Sequence, residues 1–167
     1  MFNVLVTASG SIVAQGIIKS LKLASMDQNR SISYRIVAAD MNSQAVGLYR
    51  GDLGIIIPPA SSSGYIDAII KICKEENIRA IFVGSDEELL SLAQSKKHIE
   101  SETSATVITN PVDVITNSID KWETFEFLKK NNLSYTESSL PENKEEFINE
   151  FGFPVVVKPR EGHGSLH

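Results

Sequence analysis

Short apolar segments alternate with amphipathic segments of helical periodicity from the first residue of this chain to about residue 110. The apolar segments are rich in valine and isoleucine, and turn-forming residues follow each of them. A strand with one face in water would instead show a polar residue at every second position. The alternation therefore predicts a parallel sheet that is covered by helices on both faces.

Strands and helices can be placed along this first region. Strands are expected at residues 2–6, 34–39, 54–57, 79–83 and 105–109, and helices at 12–23, 65–76 and 86–97. Right-handed crossovers between parallel strands then give a doubly wound, Rossmann-like domain. We expect this domain to occupy residues 1–110.

The pattern changes after residue 110, where Asn-Pro interrupts the chain. Helices are expected at residues 111–117, 121–131 and 142–150, and a strand at 155–157. So few elements bury little core, and we expect residues 111–167 to rely on the first domain or on another chain. The predicted fold class is α/β, a doubly wound Rossmann-like sheet followed by an incomplete α+β subdomain. An exposed strand edge at 155–157 also predicts self-association or a mobile last segment.

The composition argues against several classes of function. The net charge is -5 and no basic stripe is present, so no nucleic-acid partner is expected. Cys73 is the only cysteine, which excludes an intramolecular disulfide, and a zinc site is not indicated. No apolar run approaches the ~18 residues of a membrane span, and the N terminus lacks the basic segment of a signal peptide. We therefore expect a cytoplasmic protein with no membrane partner.

The strongest chemical signal lies near the end of the chain, where Lys158 follows three valines and precedes a glycine-rich stretch. A lysine that closes a buried strand is costly unless its ammonium group meets a partner or water. Gly162 and Gly164 alternate with His163 and Ser165, and such a stretch presents consecutive N–H groups to an anion. In a Walker A loop the lysine follows the last glycine, so this pattern is different. An edge lysine followed by a hairpin loop is the open alternative.

A second signal is the pair Asp120-Lys121 at the start of a predicted helix. Asp120 is suited to cap the helix N terminus. A cation in the first turn is mildly unfavourable against the helix dipole, and a phosphate between Lys121 and Lys158 would offset that cost. The spacing alone favours the simpler interpretation, in which Lys121 is a solvated first-turn residue.

In their order along the chain, these motifs resemble the N-terminal part of an ATP-grasp ligase of the carbamoyl-phosphate-synthase large-subunit type. Residues 1–110 resemble the pre-ATP-grasp domain, and residues 111–167 resemble the start of the ATP-grasp domain. The segments that carry the resemblance are Val4-Leu5-Val6-Thr7, Ala38-Ala39-Asp40-Met41, Tyr65-Ile66-Asp67-Ala68, Gly84-Ser85-Asp86-Glu87-Glu88-Leu89, and Lys121 with the following Phe125-Glu126-Phe127-Leu128-Lys129.

The resemblance implies that ATP binds to the second region. Lys121 is then expected to contact the phosphates, and Lys158 to reach the α-phosphate and the adenine edge. The loop Gly162-His163-Gly164-Ser165 is expected to close over the β- and γ-phosphates. The magnesium ligands are expected beyond residue 167, so we assign no catalytic residue and no metal ligand within the chain.

The turn after the first predicted strand, with Gly10 and Ser11, is similar to a dinucleotide-binding loop. The full glycine fingerprint is absent, because the next glycine is Gly16 and because Asp40 lies beyond the usual distance of about 20 residues. A tight strand-to-helix turn is the favoured interpretation. A helix N terminus at this sheet edge could still hold a substrate carboxylate or phosphate, so Gly10, Ser11 and Asp40 are candidate substrate-binding residues.

Asp86 and Glu87 open a predicted helix, where the helix dipole stabilises carboxylates. Helix capping is an adequate explanation for both residues. The resemblance implies instead that they face the cleft between the two domains and bind the substrate of the ligase.

Two functions remain open from the sequence. The first is the N-terminal portion of an ATP-dependent carboxylate-amine ligase that acts through an acylphosphate and is inactive as this fragment. Its partners would be a small carboxylate substrate and either a second copy of the chain or the missing C-terminal half. The alternative is a non-catalytic module of Rossmann-like fold for small-ligand binding or subunit association.

Overall fold

A computed structural model describes residues 1–27 and 31–162 of the 167-residue chain. The chain divides into two compact units, of which the first is Met1–Pro111 and the second begins at Val112. None of the helices among the described residues is long and apolar enough to cross a membrane.

The first unit is a five-stranded parallel sheet with helices on both faces. Its elements are β1 (Phe2–Val6), α1 (Ile12–Met26), β2 (Tyr34–Asp40), β3 (Leu53–Ile56), α2 (Tyr65–Glu75), β4 (Ala80–Phe82), α3 (Asp86–Glu102) and β5 (Thr106–Ile108), with a short 3-10 turn at Val46–Tyr49 between β2 and β3. The strand order is β3-β2-β1-β4-β5. The chain therefore winds outward in one direction from β1 and in the other from β4, so the order reverses between these two central strands.

Alternating side chains of β1 divide the core into two layers. Val4 and Val6 pack with α1 on one face, where Ile18 is buried. Leu5 points into the other layer, which contains buried residues of both α2 and α3. Burial of each such aliphatic side chain stabilises the fold by roughly 1.5–3 kcal/mol. Because both faces of the sheet are covered, the predicted doubly wound Rossmann-like class is confirmed.

The observed strands and helices of the first unit agree closely with the predicted ones. The largest difference is α3, which continues to Glu102 and not to residue 97. Ile99 explains the extra turn, because it is fully buried in the same layer as Val107 of β5. Thr103 ends the helix, and its hydroxyl donates a hydrogen bond to the carbonyl of Ile99 at 2.8 Å.

The second unit is helical in its described part. Its helices are α4 (Val112–Ile119), α5 (Lys121–Lys130) and α6 (Lys144–Phe151), with a 3-10 turn at Pro141–Asn143 before α6. Phe125 is buried and packs against Trp122, with ring centroids 5.0 Å apart, and against Tyr135 at 5.5 Å.

The predicted strand at residues 155–157 is wrong, because no strand forms over these residues. Val156 and Val157 are 79% and 91% exposed. A run of valines becomes a strand only when a neighbouring strand supplies hydrogen bonds and a packing surface. The described residues of the second unit contain no such neighbour.

Candidate functional site

The carboxyl ends of the strands in the first unit form one candidate site. In open α/β sheets, ligands bind outside this edge, at the point where the strand order reverses. Here that point lies between β1 and β4. The loops that follow these two strands therefore define where a ligand of the first unit would sit.

Ser11 joins those two loops. Its side chain caps α1 by accepting a hydrogen bond from the amide of Ala14 at 3.0 Å, and its hydroxyl donates to the carbonyl of Gly84 at 2.6 Å. The loops are in such close contact that a Cβ atom at Gly84 would lie 2.1 Å from the carbonyl oxygen of Thr7. The loop after β1 is thus held against the loop after β4 by backbone packing as well as by Ser11.

The carboxylate of Asp40 links the loop after β2 to the loop after β1 by hydrogen bonds. One oxygen of its carboxylate accepts the amide of Gly10 at 2.8 Å, and the other accepts the amide of Asn42 at 2.8 Å. The side chain is only 8% exposed. The structure therefore brings the predicted substrate residues Gly10, Ser11 and Asp40 together at one edge of the sheet. The amide of Gly10 is occupied by a carboxylate of the protein itself.

Asp86 and Glu87 lie exposed in the first turn of α3, directly after the loop that contains Gly84. Ser85 occupies the N-cap position of this helix, but its side chain makes no capping hydrogen bond. Carboxylates in a first turn interact favourably with the helix dipole. Both predicted residues thus lie at the same sheet edge as Ser11, with their side chains accessible.

Glu88 is the residue of this edge that sequence reasoning missed. It is 7% exposed, and Thr7 and Tyr65, which neighbour it, are 0% and 1% exposed. Burial raises the pKa of Glu88; the hydroxyls of Thr7 and Tyr65 act in the opposite direction, and the carboxylates of Asp40 and Glu87 raise the pKa further.

A sequence signal for Glu88 was available. It lies four positions before Leu92 and eleven before Ile99, and both of these residues are fully buried on the inner face of α3. Helical periodicity therefore places Glu88 on the buried face, whereas Asp86 and Glu87 fall on the exposed one. A carboxyl group on a buried face is unusual enough to mark a candidate site.

The second candidate site lies at the start of α5 in the second unit. Asp120 caps this helix by accepting the amide of Trp122 at 2.8 Å, and its carboxylate also binds the guanidinium of Arg160, with Nε 2.9 Å from Oδ2. The hydrogen bond from Arg160 is the main cause that lowers the pKa of Asp120. The predicted N-cap at Asp120 is therefore present.

Lys121 connects the start of α5 to Arg160 and to Gly162, the first residue of the glycine-rich loop. Its Nζ donates to the carbonyl of Gly162 at 2.9 Å and to that of Arg160 at 3.3 Å, and its backbone amide donates to Arg160 at 2.9 Å. Lys158 is exposed and forms no hydrogen bond or ion pair with a described residue. The predicted residues His163, Gly164 and Ser165 lie outside the described part of the chain.

The chemistry of these groups suits an anion. Lys121 and Lys158 place two ammonium groups on or next to one exposed segment, and such donors match phosphate oxygens, whereas the guanidinium of Arg160 is already paired with Asp120. A divalent metal is not matched in the same way. Within residues 1–27 and 31–162, no group of three or more His, Cys, Asp or Glu side chains is arranged to hold a metal ion.

Comparison with known sequences gives one family match. A profile for the family described as "PylC-like, N-terminal domain" matches residues 11–108, which is more than half of the chain. A search of curated proteins finds no significant match.

Comparison with solved structures gives many matches, and the three described here cover nearly the whole chain. N5-carboxyaminoimidazole synthetase from Staphylococcus aureus, complexed with ADP, is 14% identical with a TM-score of 0.64, covering 97% of this chain and 39% of its own. The corresponding ribonucleotide synthetase from Thermotoga maritima is 21% identical with a TM-score of 0.63, covering 97% and 40%.

A third similar structure is the biotin carboxylase domain of 2-oxoglutarate carboxylase from Hydrogenobacter thermophilus, in complex with MgADP and bicarbonate. It is 21% identical with a TM-score of 0.64, and the match covers 98% of this chain and 36% of the other. At these identities the similarity shows the fold, and this chain spans about two fifths of the length of these proteins.

Proposed function

Because the chain belongs to the family of PylC-like N-terminal domains, we propose that it is the N-terminal part of an ATP-dependent ligase that joins a carboxylate to an amine. The resemblance to the ATP-grasp superfamily inferred from the sequence is confirmed by this family match and by the fold. The structural observation that carries the proposal is the contact between Lys121 and Gly162, which places the start of the glycine-rich loop on the N terminus of α5.

We place the ATP phosphates at this contact. Lys121, Lys158 and the loop of Gly162, His163, Gly164 and Ser165 are the proposed binding residues. In the structure, the ammonium of Lys121 donates to two backbone carbonyls, which are weaker partners for a cation than phosphate oxygens are. Lys158 is exposed and available for the same anion. Two similar solved structures contain ADP, which supports a nucleotide as the ligand of this chain.

The substrate is proposed to bind at the carboxyl edge of the first unit. Asp86 and Glu87 are the accessible candidates, whereas Gly10, Ser11 and Asp40 shape the site by holding its loops together. When bound, ATP supplies the phosphoryl group that converts a carboxylate into an acylphosphate, which an amine can attack. This chemistry depends on cations that stabilise the transferring group and on a magnesium ion. We assign the magnesium ligands to a part of the ligase other than this chain, which is therefore inactive by itself.

Association with the rest of the ligase, or with a second copy of the chain, is proposed through the apolar segment at residues 155–157. Val156 and Val157 are exposed there, and valine favours a paired strand. Size measurement by light scattering tests the self-association, and a monomer at all concentrations would leave only a different chain as the partner.

Calorimetric titration of the chain with Mg-ATP tests the nucleotide site. We expect binding by the wild type and at least a tenfold loss of affinity in Lys121→Ala and in Lys158→Ala. Lys130→Ala is the matched control, because Lys130 is an exposed lysine at the other end of α5. Wild-type binding that neither variant weakens would remove both lysines from the nucleotide site.

The alternative function is a non-catalytic module for small-ligand binding or subunit association. One observation favours it: the first unit has a buried core of its own on both faces of the sheet. Absence of Mg-ATP binding together with ligand binding at the sheet edge would support this alternative over the ligase.

A further inference from the structure

The loops at the carboxyl edge of the sheet carry a negative charge. Asp40, Asp86, Glu87 and Glu88 lie within or next to the segments that follow β2 and β4. The described loops that follow the strands of the first unit contain one basic residue, Arg50. Its guanidinium binds the side chain of Gln15, at 2.7 Å. The edge therefore has an excess of carboxylates.

Five buried side-chain oxygen atoms have no hydrogen-bond partner among the described residues. Three of them, Oγ1 of Thr7, the hydroxyl of Tyr65 and Oε2 of Glu88, belong to neighbouring residues at this edge, and the others are Oγ of Ser9 and Oγ1 of Thr109. The hydroxyls of Thr7 and Tyr65 are near enough to lower the pKa of Glu88, but no bond of ordinary length and angle joins them to its carboxyl group. Buried polar groups in proteins are nearly always hydrogen-bonded. A cluster of three exceptions indicates a partner supplied from outside the chain.

The position of the cluster agrees with a ligand site. Thr7 directly follows β1, Glu88 lies in the first turn of α3 after β4, and Tyr65 begins α2. The cluster thus lies where the strand order reverses, which is the position at which open α/β sheets bind ligands.

The charges around the cluster select the kind of ligand. The charged groups that act on Glu88 are Asp40 and Glu87, and both are acidic. An anion would be repelled, and the amide of Gly10 that could have received one already donates to Asp40. A divalent metal would need a cluster of ligating side chains, which the described residues do not provide. An organic cation fits, because an ammonium group has three N–H donors and the cluster offers three oxygen atoms.

We propose that Glu88, with the hydroxyls of Thr7 and Tyr65, binds the protonated amine of a small-molecule substrate. The inference rests on the proposed ligase function, for which an amine is one of the two groups joined. Glu88 is then a specificity-determining residue of the first unit, because its ionised carboxylate forms a charge-assisted hydrogen bond with an ammonium and repels a carboxylate. The proposal reverses the expectation that this sheet edge holds a substrate carboxylate or phosphate.

Titration of the full chain with three probes of equal length, followed by amide NMR shifts, tests this inference. The probes are n-butylammonium, n-butanol and n-butyrate. We expect n-butylammonium to shift amides at residues 7–11 and 84–88, with at least tenfold weaker responses to the other two. Glu88→Gln is expected to reduce the affinity for n-butylammonium at least tenfold. Glu75→Gln, an exposed carboxylate at the far end of α2, is expected to leave it unchanged.

Thr7→Val and Tyr65→Phe remove one hydroxyl each and leave the carboxylate in place. Each is expected to lower the affinity for n-butylammonium several-fold. Thermal unfolding of every variant establishes that it is folded. Equal responses to the three probes, or full n-butylammonium binding by a folded Glu88→Gln, would overturn the proposal in favour of a trapped water. Mg-ATP binding is measured on the same samples. If the wild type binds n-butylammonium but not Mg-ATP, the proposed nucleotide site is wrong and the amine site stands. If it binds Mg-ATP but not n-butylammonium, the amine site is wrong and the nucleotide site stands.

Discussion

The carboxylate of Asp40 accepts a hydrogen bond from the backbone amide of Gly10 at 2.8 Å, across the gap between two parallel strands. This hydrogen bond makes the sheet edge unfavourable for a phosphate. The amide of Gly10 could donate to a phosphate oxygen, but it already donates to the carboxylate of Asp40. The fold thus has a tight glycine turn after β1, and the neighbouring groups at this edge are carboxylates. A phosphate site is proposed only in the second unit, at Lys121.

Replacement of Asp40 should loosen this edge. Asp40→Asn keeps one acceptor oxygen and loses the other, so one of the two amides of Gly10 and Asn42 is left unpaired. We expect a loss of about 1–3 kcal/mol in the free energy of unfolding, measured with urea. Asp67→Asn, at an exposed position of α2, is the control and should change stability by less than about 0.5 kcal/mol. Equal effects of both substitutions would contradict the role of Asp40.

Two glycine substitutions should have opposite effects. In Gly84→Ala the new Cβ atom would lie 2.1 Å from the carbonyl oxygen of Thr7, a backbone atom that cannot move aside, so we expect a loss of about 3 kcal/mol. In Gly16→Ala the new atom meets nothing within 4 Å, and alanine is the better helix former in α1. That variant should gain about 0.5–1 kcal/mol. Urea unfolding of both proteins checks the pair, and a stable Gly84→Ala protein would show that the two loops are not in close contact.

The buried carboxyl group of Glu88 predicts a pH dependence of stability. Because burial raises its pKa in the folded state, the folded protein holds this proton more tightly than the unfolded chain does. The contribution of protonated Glu88 to the free energy of unfolding is therefore fully present below the ordinary glutamate pKa. It is lost as the pH rises through the raised pKa of Glu88 in the folded state. Glu88→Gln removes this loss, so its stability relative to the wild type should be greater at pH 7 than at pH 4.

Urea unfolding at both pH values measures the difference. Glu88→Gln keeps the size and shape of the side chain and removes its ionisable group, so the comparison tests Glu88. A constant difference between wild type and variant across this range would mean that Glu88 titrates like an exposed glutamate.

The ion pair between Asp120 and Arg160 should protect the chain after Arg160 from trypsin. Asp120→Asn keeps a good N-cap for α5 but removes the negative charge that binds the guanidinium. We expect cleavage between Arg160 and Glu161 to become several-fold faster, as followed by mass spectrometry. Asp113→Asn, an acidic residue in the first turn of α4, serves as the control. An unchanged rate in Asp120→Asn would show that the ion pair does not hold this segment.

The fold of the first unit could be predicted from the sequence because its information is local. Each strand is an apolar run, each helix has a periodic face, and right-handed crossovers leave few arrangements. The strand expected at residues 155–157 failed for the opposite reason. Whether Val156 and Val157 form a strand depends on a hydrogen-bonded neighbour, which no local pattern specifies.

The candidate site was predictable only in part. The sequence indicated that Asp120 caps a helix, and the structure shows this cap. It did not reveal that the amide of Gly10 would donate a hydrogen bond to the carboxylate of Asp40, because that bond depends on how two loops approach each other. Glu88 was not predicted as a site residue, although it directly follows Asp86 and Glu87 in the sequence. Only the packing of α3 against the sheet separates the buried carboxyl from the two exposed ones.

The central claim is that the nucleotide binds in the second unit, at the start of α5, and not at the glycine turn of the first unit. Amide NMR shifts of the full chain during titration with Mg-ADP test it most directly. The account predicts shifts concentrated at residues 120–123 and 158–162, with little change at residues 7–11 and 40–42. Shifts confined to the turn around Gly10 would contradict it and would identify the sheet edge of the first unit as the nucleotide site.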